Sequence, residues 1–95
     1  MLSGRRPSPR PSEELALRAR LDLDHGRTVE GALVARAAAD ALAAEGHGGA
    51  QPEVAARLAR AALSDGLSPK QLEELEEMVR VLERAVRKRR YADEA

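Results

Sequence analysis

The sequence predicts a small all-α protein, a three- to four-helix bundle with a long C-terminal amphipathic helix. The 95 residues fall into four apolar-rich segments separated by turns that contain glycine. Alanine, the best helix former, supplies 19 of the 41 apolar residues, whereas isoleucine, phenylalanine and tryptophan are absent. In the last segment, leucine and valine recur every three or four residues, which is the spacing of one helix face.

The predicted core is thin. A chain of this length forms one domain with a modest core. A buried leucine or valine contributes about 1.5–3 kcal/mol to stability, and alanine contributes much less. We therefore expect a partner helix or a second copy of the chain to complete the core.

The two termini are predicted to be disordered. Residues 1–11 contain three prolines, three arginines and no acidic residue, so they form a basic arm unsuited to a helix or a central strand. A single helical domain is expected over residues 12–91, followed by a disordered tail over residues 92–95.

The first segment of the domain, residues 12–26, admits two interpretations. A serine followed by two glutamates, and a composition of leucine, alanine and arginine, favour a helix. The strict apolar alternation over residues 15–24 is typical of a strand. No second strand-like segment exists in the sequence, so such a strand would have to pair across a dimer and give an α+β protein. We prefer the helix and keep the strand as the alternative.

The two middle segments differ in how much of their surface is apolar. Residues 29–45 are apolar nearly all round, since Leu33 and Leu42 point in opposite directions on a helix. We expect that helix to be sandwiched between neighbours. Residues 52–64 begin with a proline and place Val54 and Leu58 on one stripe, which predicts a short amphipathic helix.

The fourth segment has the clearest start signal. Ser68 suits the N-cap, Pro69 the first helical position and Gln71 a capping box. Acidic residues fill the first half of this helix and basic residues fill its last turns, which matches the helix dipole. Its apolar positions form a heptad seam, which is the predicted partner interface: Leu72, Leu75, Val79, Leu82 and Val86.

The seam can be buried in two ways. Antiparallel pairing with a second copy would set the acidic half of one helix beside the basic half of the other, and this is the preferred arrangement. The alternative is that the seam is covered within one chain by Leu33, Val34, Val54 and Leu58. In the preferred arrangement, Leu82→Glu would separate a dimer.

No catalytic, cofactor or metal site is predicted, and we expect neither an enzyme nor a small-molecule substrate. Asp22, Asp24, His25 and His47 come nearest to a metal-binding set, but their spacing matches no ligand pattern. The serines at positions 64 and 68 are explained as helix-end residues without an evident base. The loop EGHGG lacks the lysine and the serine or threonine of a phosphate-binding loop.

Nucleic-acid binding is the second function predicted from the sequence. Residues 52–79 predict a helix, a short turn at Gly66 and a second helix, a layout that resembles the helix-turn-helix pattern. That resemblance implies a recognition helix that presents Lys70 to phosphates, but it would also present Glu73, Glu74 and Glu77, which would be repelled.

Basic residues elsewhere offer two further modes of nucleic-acid contact. In the strand alternative, Arg18 and Arg20 would enter the major groove of DNA. The run RKRR at residues 87–90 would contact phosphates, although its more common role is to complement the helix dipole. The candidate nucleic-acid contacts are Arg5, Arg6, Arg10, Arg18, Arg20, Arg87, Lys88, Arg89 and Arg90.

The sequence thus predicts a non-enzymatic protein-interaction or regulatory module, a homodimer or a binder of a partner helix through its C-terminal helix. A small dimeric DNA-binding transcriptional regulator is the alternative. Basic and acidic residues balance at 16 each, so the chain as a whole has no field that attracts nucleic acid or an acidic membrane. Because the sequence has no cysteine and no apolar run of signal-peptide or membrane-span length, we expect a cytoplasmic location.

Overall fold

The computed structural model describes the backbone of residues 10–94 and the side chains of residues 10–89. This part of the chain is all helical, as predicted, and contains no strand. Its four helices are α1 (Pro11–Asp24), α2 (Thr28–Ala44), α3 (Pro52–Ser64) and α4 (Pro69–Glu94). Residues 1–9, which hold most of the predicted arm, lie outside the described residues.

The strand predicted as the alternative for residues 15–24 is wrong, because these residues lie in α1. The alternating apolar residues point to different sides of the helix. Ala19 is buried in the core, Leu15 and Leu23 are half-buried beside it, and Leu17 and Leu21 are exposed. The period-two pattern therefore reflects leucines on both edges of a helix.

The start of α1 differs from the predicted one. Its N-cap is Arg10, Pro11 occupies the first turn, and no side chain caps the helix. Ser12 is fully buried and donates a hydrogen bond of 2.8 Å from its hydroxyl to Glu45 Oε1 at the end of α2. The serine thus joins two helices instead of capping one.

α2 and α4 are the central pair of the bundle. Each of them packs against the other three helices, whereas α1 and α3 do not contact each other within the described chain. α1 and α2 approach closely at Gly31, where a Cβ atom would lie only 2.8 Å from Leu23 Cδ2. The predicted sandwiching of α2 is only partly met, because Val29 and Leu33 on its outer side are exposed.

The core is thin, as predicted. Alanine accounts for 11 of the 17 buried apolar residues in the described chain. The large side chains that are fully buried are Leu42, Leu58, Leu75, Val79 and Leu82. Alanine side chains let helix backbones approach one another, so a small number of large residues suffices to fill the centre.

The turn between α3 and α4 and the start of α4 follow the prediction. Gly66 has a φ of +81°, which favours glycine. The Ser68 N–H donates to Gln71 Oε1 at 2.9 Å, and the Gln71 N–H donates to Ser68 Oγ at 3.1 Å. These two hydrogen bonds are the predicted capping box.

We expect Ser68→Ala to lower the free energy of unfolding by about 0.5–2 kcal/mol, because the Gln71 N–H loses its acceptor. Urea denaturation followed by circular dichroism measures the change. Ser64→Ala is the matched control, since Ser64 is an exposed residue at the end of α3. Equal midpoints for the two variants would mean that the capping box does not stabilise the helix.

The end of α4 lies beyond the predicted domain boundary at residue 91. The helix continues to Glu94, so the segment predicted as a tail supplies its last turn as far as that residue. No basic residue lies in that last turn. The RKRR run therefore sits about one turn before the helix end, and the predicted match with the helix dipole does not hold there.

Candidate interaction surface

The predicted heptad seam lies mostly inside the bundle. Leu75, Val79 and Leu82 have no exposed surface, and they pack in one cluster with Leu58 of α3. The other two seam residues, Leu72 and Val86, are half-buried. The within-chain alternative thus describes the seam, except that Leu33 points to solvent. The preferred prediction was that a second copy buries the seam, but its three central residues are already covered within one chain.

Two of the candidate nucleic-acid contacts are held by carboxylates of the chain. Arg20 of α1 donates from Nη2 and Nε to Glu83 of α4, at 3.2 and 3.4 Å, and its Nη1 lies 3.6 Å from Asp24 Oδ1. The hydrogen bonds to Glu83 hold the pKa of Arg20 above its usual value. Arg20 therefore bridges α1 and α4 and does not project freely into solvent.

Arg89 is the most deeply buried cation among the described residues. Only 9% of its side chain is exposed, its Nη1 contacts Glu45 Oε1, and its Nη2 donates to Glu13 Oε1 at 3.4 Å. Its Nε is buried without a hydrogen-bond acceptor among the described side chains. Together with Ser12, these residues form a polar cluster that joins the start of α1, the end of α2 and the C-terminal half of α4. Arg89 is thus a structural residue.

The other basic candidates with described side chains are exposed. Arg18, Arg87 and Lys88 are exposed on two helices, and Arg10 is exposed at the N-cap of α1. Arg5 and Arg6 lie outside the described residues, as does the side chain of Arg90. DNA contact depends on basic side chains that share one face, and two of the candidates, Arg20 and Arg89, are held in ion pairs within the chain.

The geometry of α3 and α4 does not strengthen the helix-turn-helix interpretation. Glu74 is drawn into an ion pair with Arg57 of α3. Glu77 pairs with Arg80 at 3.0 Å and with Arg84 at 3.4 Å, and these hydrogen bonds lower its pKa. Glu73 remains exposed beside Lys70. The face that would enter a DNA groove therefore carries carboxylates, as the sequence indicated.

The residues considered as metal ligands are not brought together. Asp22 is buried and accepts from Arg27 Nε at 3.0 Å. The Nδ1 atom of His25 lies 2.8 Å from the Leu21 carbonyl, and that of His47 accepts from the Gly49 N–H at 3.2 Å. Among the described residues, no three His, Cys, Asp or Glu side chains are grouped in a way that would hold a metal ion. Each of these groups has a local structural role.

The surface carries as many large apolar residues as the centre of the core. Five large apolar side chains are exposed in the described chain, and five are fully buried. Four of the exposed ones lie on the first two helices: Leu17 and Leu21 on α1, and Val29 and Leu33 on α2. The fifth, Leu63, lies alone on α3. Single exposed leucines are ordinary, whereas Leu17 and Leu21 lie one helical turn apart beside a groove.

Such a groove runs between α1 and α4. It is open, it encloses about 370 Å³, and its lining residues are Glu13, Glu14, Ala16 and Leu17 from α1 with Glu83, Val86 and Arg87 from α4. Leu17, which is 61% exposed, forms one edge, and Leu21, which is 46% exposed, follows one helical turn later. The lining combines three apolar residues with four charged ones, a mixture that suits another protein surface.

This groove has no direct signal in the sequence. It joins residues about 70 positions apart along the chain, and such pairings leave no periodic pattern. One indication was available, since Leu17 and Leu21 cannot share a helix face with Ala16 and Ala19. Of the residues predicted as a partner interface, Val86 lines the groove.

No family model, curated protein or solved structure matches this chain. None of the described helices is both long and apolar enough to cross a lipid bilayer. The surface chemistry of the bundle is therefore the basis for assigning a function.

Proposed function

We propose that this chain is a non-enzymatic protein-interaction module that binds a partner through the groove between α1 and α4. One observation carries the proposal: Leu17 and Leu21 project from α1 beside a groove lined with Ala16 and Val86. Covering this surface would remove exposed leucine from water, which stabilises a complex by about 25 cal/mol for each Å² of apolar area buried.

The C-terminal helix retains a part in this interaction, although a different one from the seam predicted from the sequence. Its inner face is used to build the bundle, through Leu75, Val79 and Leu82. Its outer edge supplies Val86 and Arg87 to the groove. The proposed contact surface is therefore composite, with one wall from α1 and one from α4.

Two structural observations favour an interaction module over an enzyme or a nucleic-acid binder. Ser12 and Ser68 are occupied in a helix contact and a helix cap, so neither is available as a nucleophile. Arg20 and Arg89 are paired with carboxylates of the chain, which withdraws two of the candidate nucleic-acid contacts. The proposed location is the cytoplasm, which the absence of cysteine suits.

We expect a photo-activated cross-linking residue at position 17 to capture a protein in the native cell, because that position borders the groove. The same residue at position 63 is the matched control, since Leu63 is 64% exposed but lies on α3, which does not contact α1. Leu17→Glu should remove the adduct formed by a cross-linker at position 21. Equal yields at positions 17 and 63, or none at either, would exclude the groove as a contact surface.

A further inference from the structure

We propose that the occupant of the α1–α4 groove is a second copy of this chain, packed groove to groove about a two-fold axis parallel to α1 and α4. This inference rests on the proposed function and names its partner. Two features support it: the heights of the groove residues along the two helices, and the charges left unpaired on its two walls.

Two ion pairs within the chain show which residues of α1 and α4 lie at the same height along the helix axes. Glu13 lies against Arg89, and Arg20 lies against Glu83, so α1 and α4 run antiparallel. Leu17 lies about midway between the two α1 residues of these pairs. Val86 lies midway between the two α4 residues, so Leu17 and Val86 face the groove at the same level.

The charges left unpaired at the groove are one of each sign, on opposite walls. The carboxylates of Glu13 and Glu83 are already paired with Arg89 and Arg20. Glu14 on α1 and Arg87 on α4 form no ion pair with any described side chain. The rim is thus balanced, and a strongly acidic or strongly basic partner would be repelled by one wall.

A surface with this pattern is complementary to itself. A two-fold axis parallel to the helices exchanges the walls, so that α1 of one chain lies over α4 of the other. Leu17 then lies over Val86 of the partner subunit, and Glu14 lies near Arg87 of the partner subunit. Both contacts occur twice, once on each side of the axis. An axis perpendicular to the helices would instead set each α1 against its own copy and leave Glu14 and Arg87 apart.

The area of the groove face predicts a reversible dimer. Two helices about 10 Å wide, over the about 21 Å length of α1, offer about 400 Å² per chain. Stable complexes of standard size bury about 800 Å² per partner. The dimer is therefore expected to form at high micromolar concentration and to dissociate on dilution.

Charge exchange at the two rim residues tests this arrangement. We expect Glu14→Arg and Arg87→Glu each to be monomeric where the unaltered chain is dimeric, because each variant places like charges together twice. An equimolar mixture of the two variants should recover the dimer, because both cross-chain pairs are then of opposite sign. Sedimentation equilibrium measures the association. Lys88→Glu, which changes an exposed neighbour that does not line the groove, should leave it unchanged.

Several results would overturn the arrangement. These are a monomeric unaltered chain at the highest soluble concentration, single variants that dimerise normally, or a mixture that stays monomeric while both variants keep full helicity by circular dichroism. Cross-linking at position 17 separates this failure from that of the proposed function. Adducts of twice the chain mass support a second copy, whereas adducts with another protein overturn it and leave the interaction module in place.

Discussion

Leu82→Glu is expected to unfold the chain. Leu82 has no exposed surface and packs between the helices with Leu75 and Val79. Loss of a buried leucine side chain costs about 2–5 kcal/mol, and burial of an unpaired carboxylate adds a desolvation penalty of several kcal/mol. Single domains have a total stability of about 5–15 kcal/mol, so little or none would remain. Circular dichroism should show loss of the helical signal at neutral pH.

Leu63→Glu is the control for this substitution. It makes the same chemical change at a leucine that is 64% exposed, and the chain should stay folded. The contrary outcome is specific: Leu82→Glu that keeps full helicity and only separates a dimer would mean that the seam of α4 lies between chains, as the sequence first suggested.

Arg89→Met is expected to lower the free energy of unfolding by about 3–5 kcal/mol. Removal of one partner from a buried ion pair leaves the other charge uncompensated, and this costs more than the pair itself contributes. Here Arg89 faces two carboxylates, those of Glu13 and Glu45, and both belong to half-buried residues. Chemical denaturation of the purified chain measures the loss.

Two further variants isolate the role of the guanidinium group. Lys88→Met removes a positive charge from the next residue, which is exposed, and should change stability by about 0.5 kcal/mol or less. Arg89→Lys keeps the charge but cannot reach both carboxylates through two separate nitrogen atoms. Its stability should therefore lie between those of Arg89→Met and Lys88→Met. If Arg89→Met and Lys88→Met are equally stable, the cluster contributes nothing to the fold.

The helices were predictable from local chemistry. Proline, serine and glycine at helix ends act within one turn of their own position, so α3 and the start of α4 are found where Pro52, Gly66 and Ser68 place them. α1 was ambiguous for a physical reason. Its leucines lie on both edges of the helix, and that distribution imitates the alternation of a strand.

The position of the seam was not predictable by the same means. Alanines were expected to be too small to cover Leu75, Val79 and Leu82. Leu42 and Leu58, with the partly buried Val34 and Val54, pack in the same cluster as the seam, so α2 and α3 supply large side chains as well as alanines. A second copy is not required for that burial.

The polar cluster at Arg89 and the groove beside it were also not predictable. Ser12 lies 33 residues from Glu45, and Glu13 lies 76 residues from Arg89. Such contacts depend on how the helices are arranged in space, and a single sequence has no periodic signal for them. The RKRR run therefore appeared to be one basic cluster, although Arg89 is turned inward.

The abundance of alanine in the core has a consequence for side-chain entropy and for which substitutions the fold tolerates. An alanine side chain has no rotamer to fix, so the burial of 11 alanines costs almost no side-chain conformational entropy. This low entropy cost partly compensates for the weak hydrophobic stabilisation that a core of small apolar area provides. Truncation can open a cavity only at the few large buried residues, whereas enlargement is costly wherever helix backbones lie close together. In the interior of this bundle, more positions are therefore sensitive to enlargement of a side chain than to its truncation.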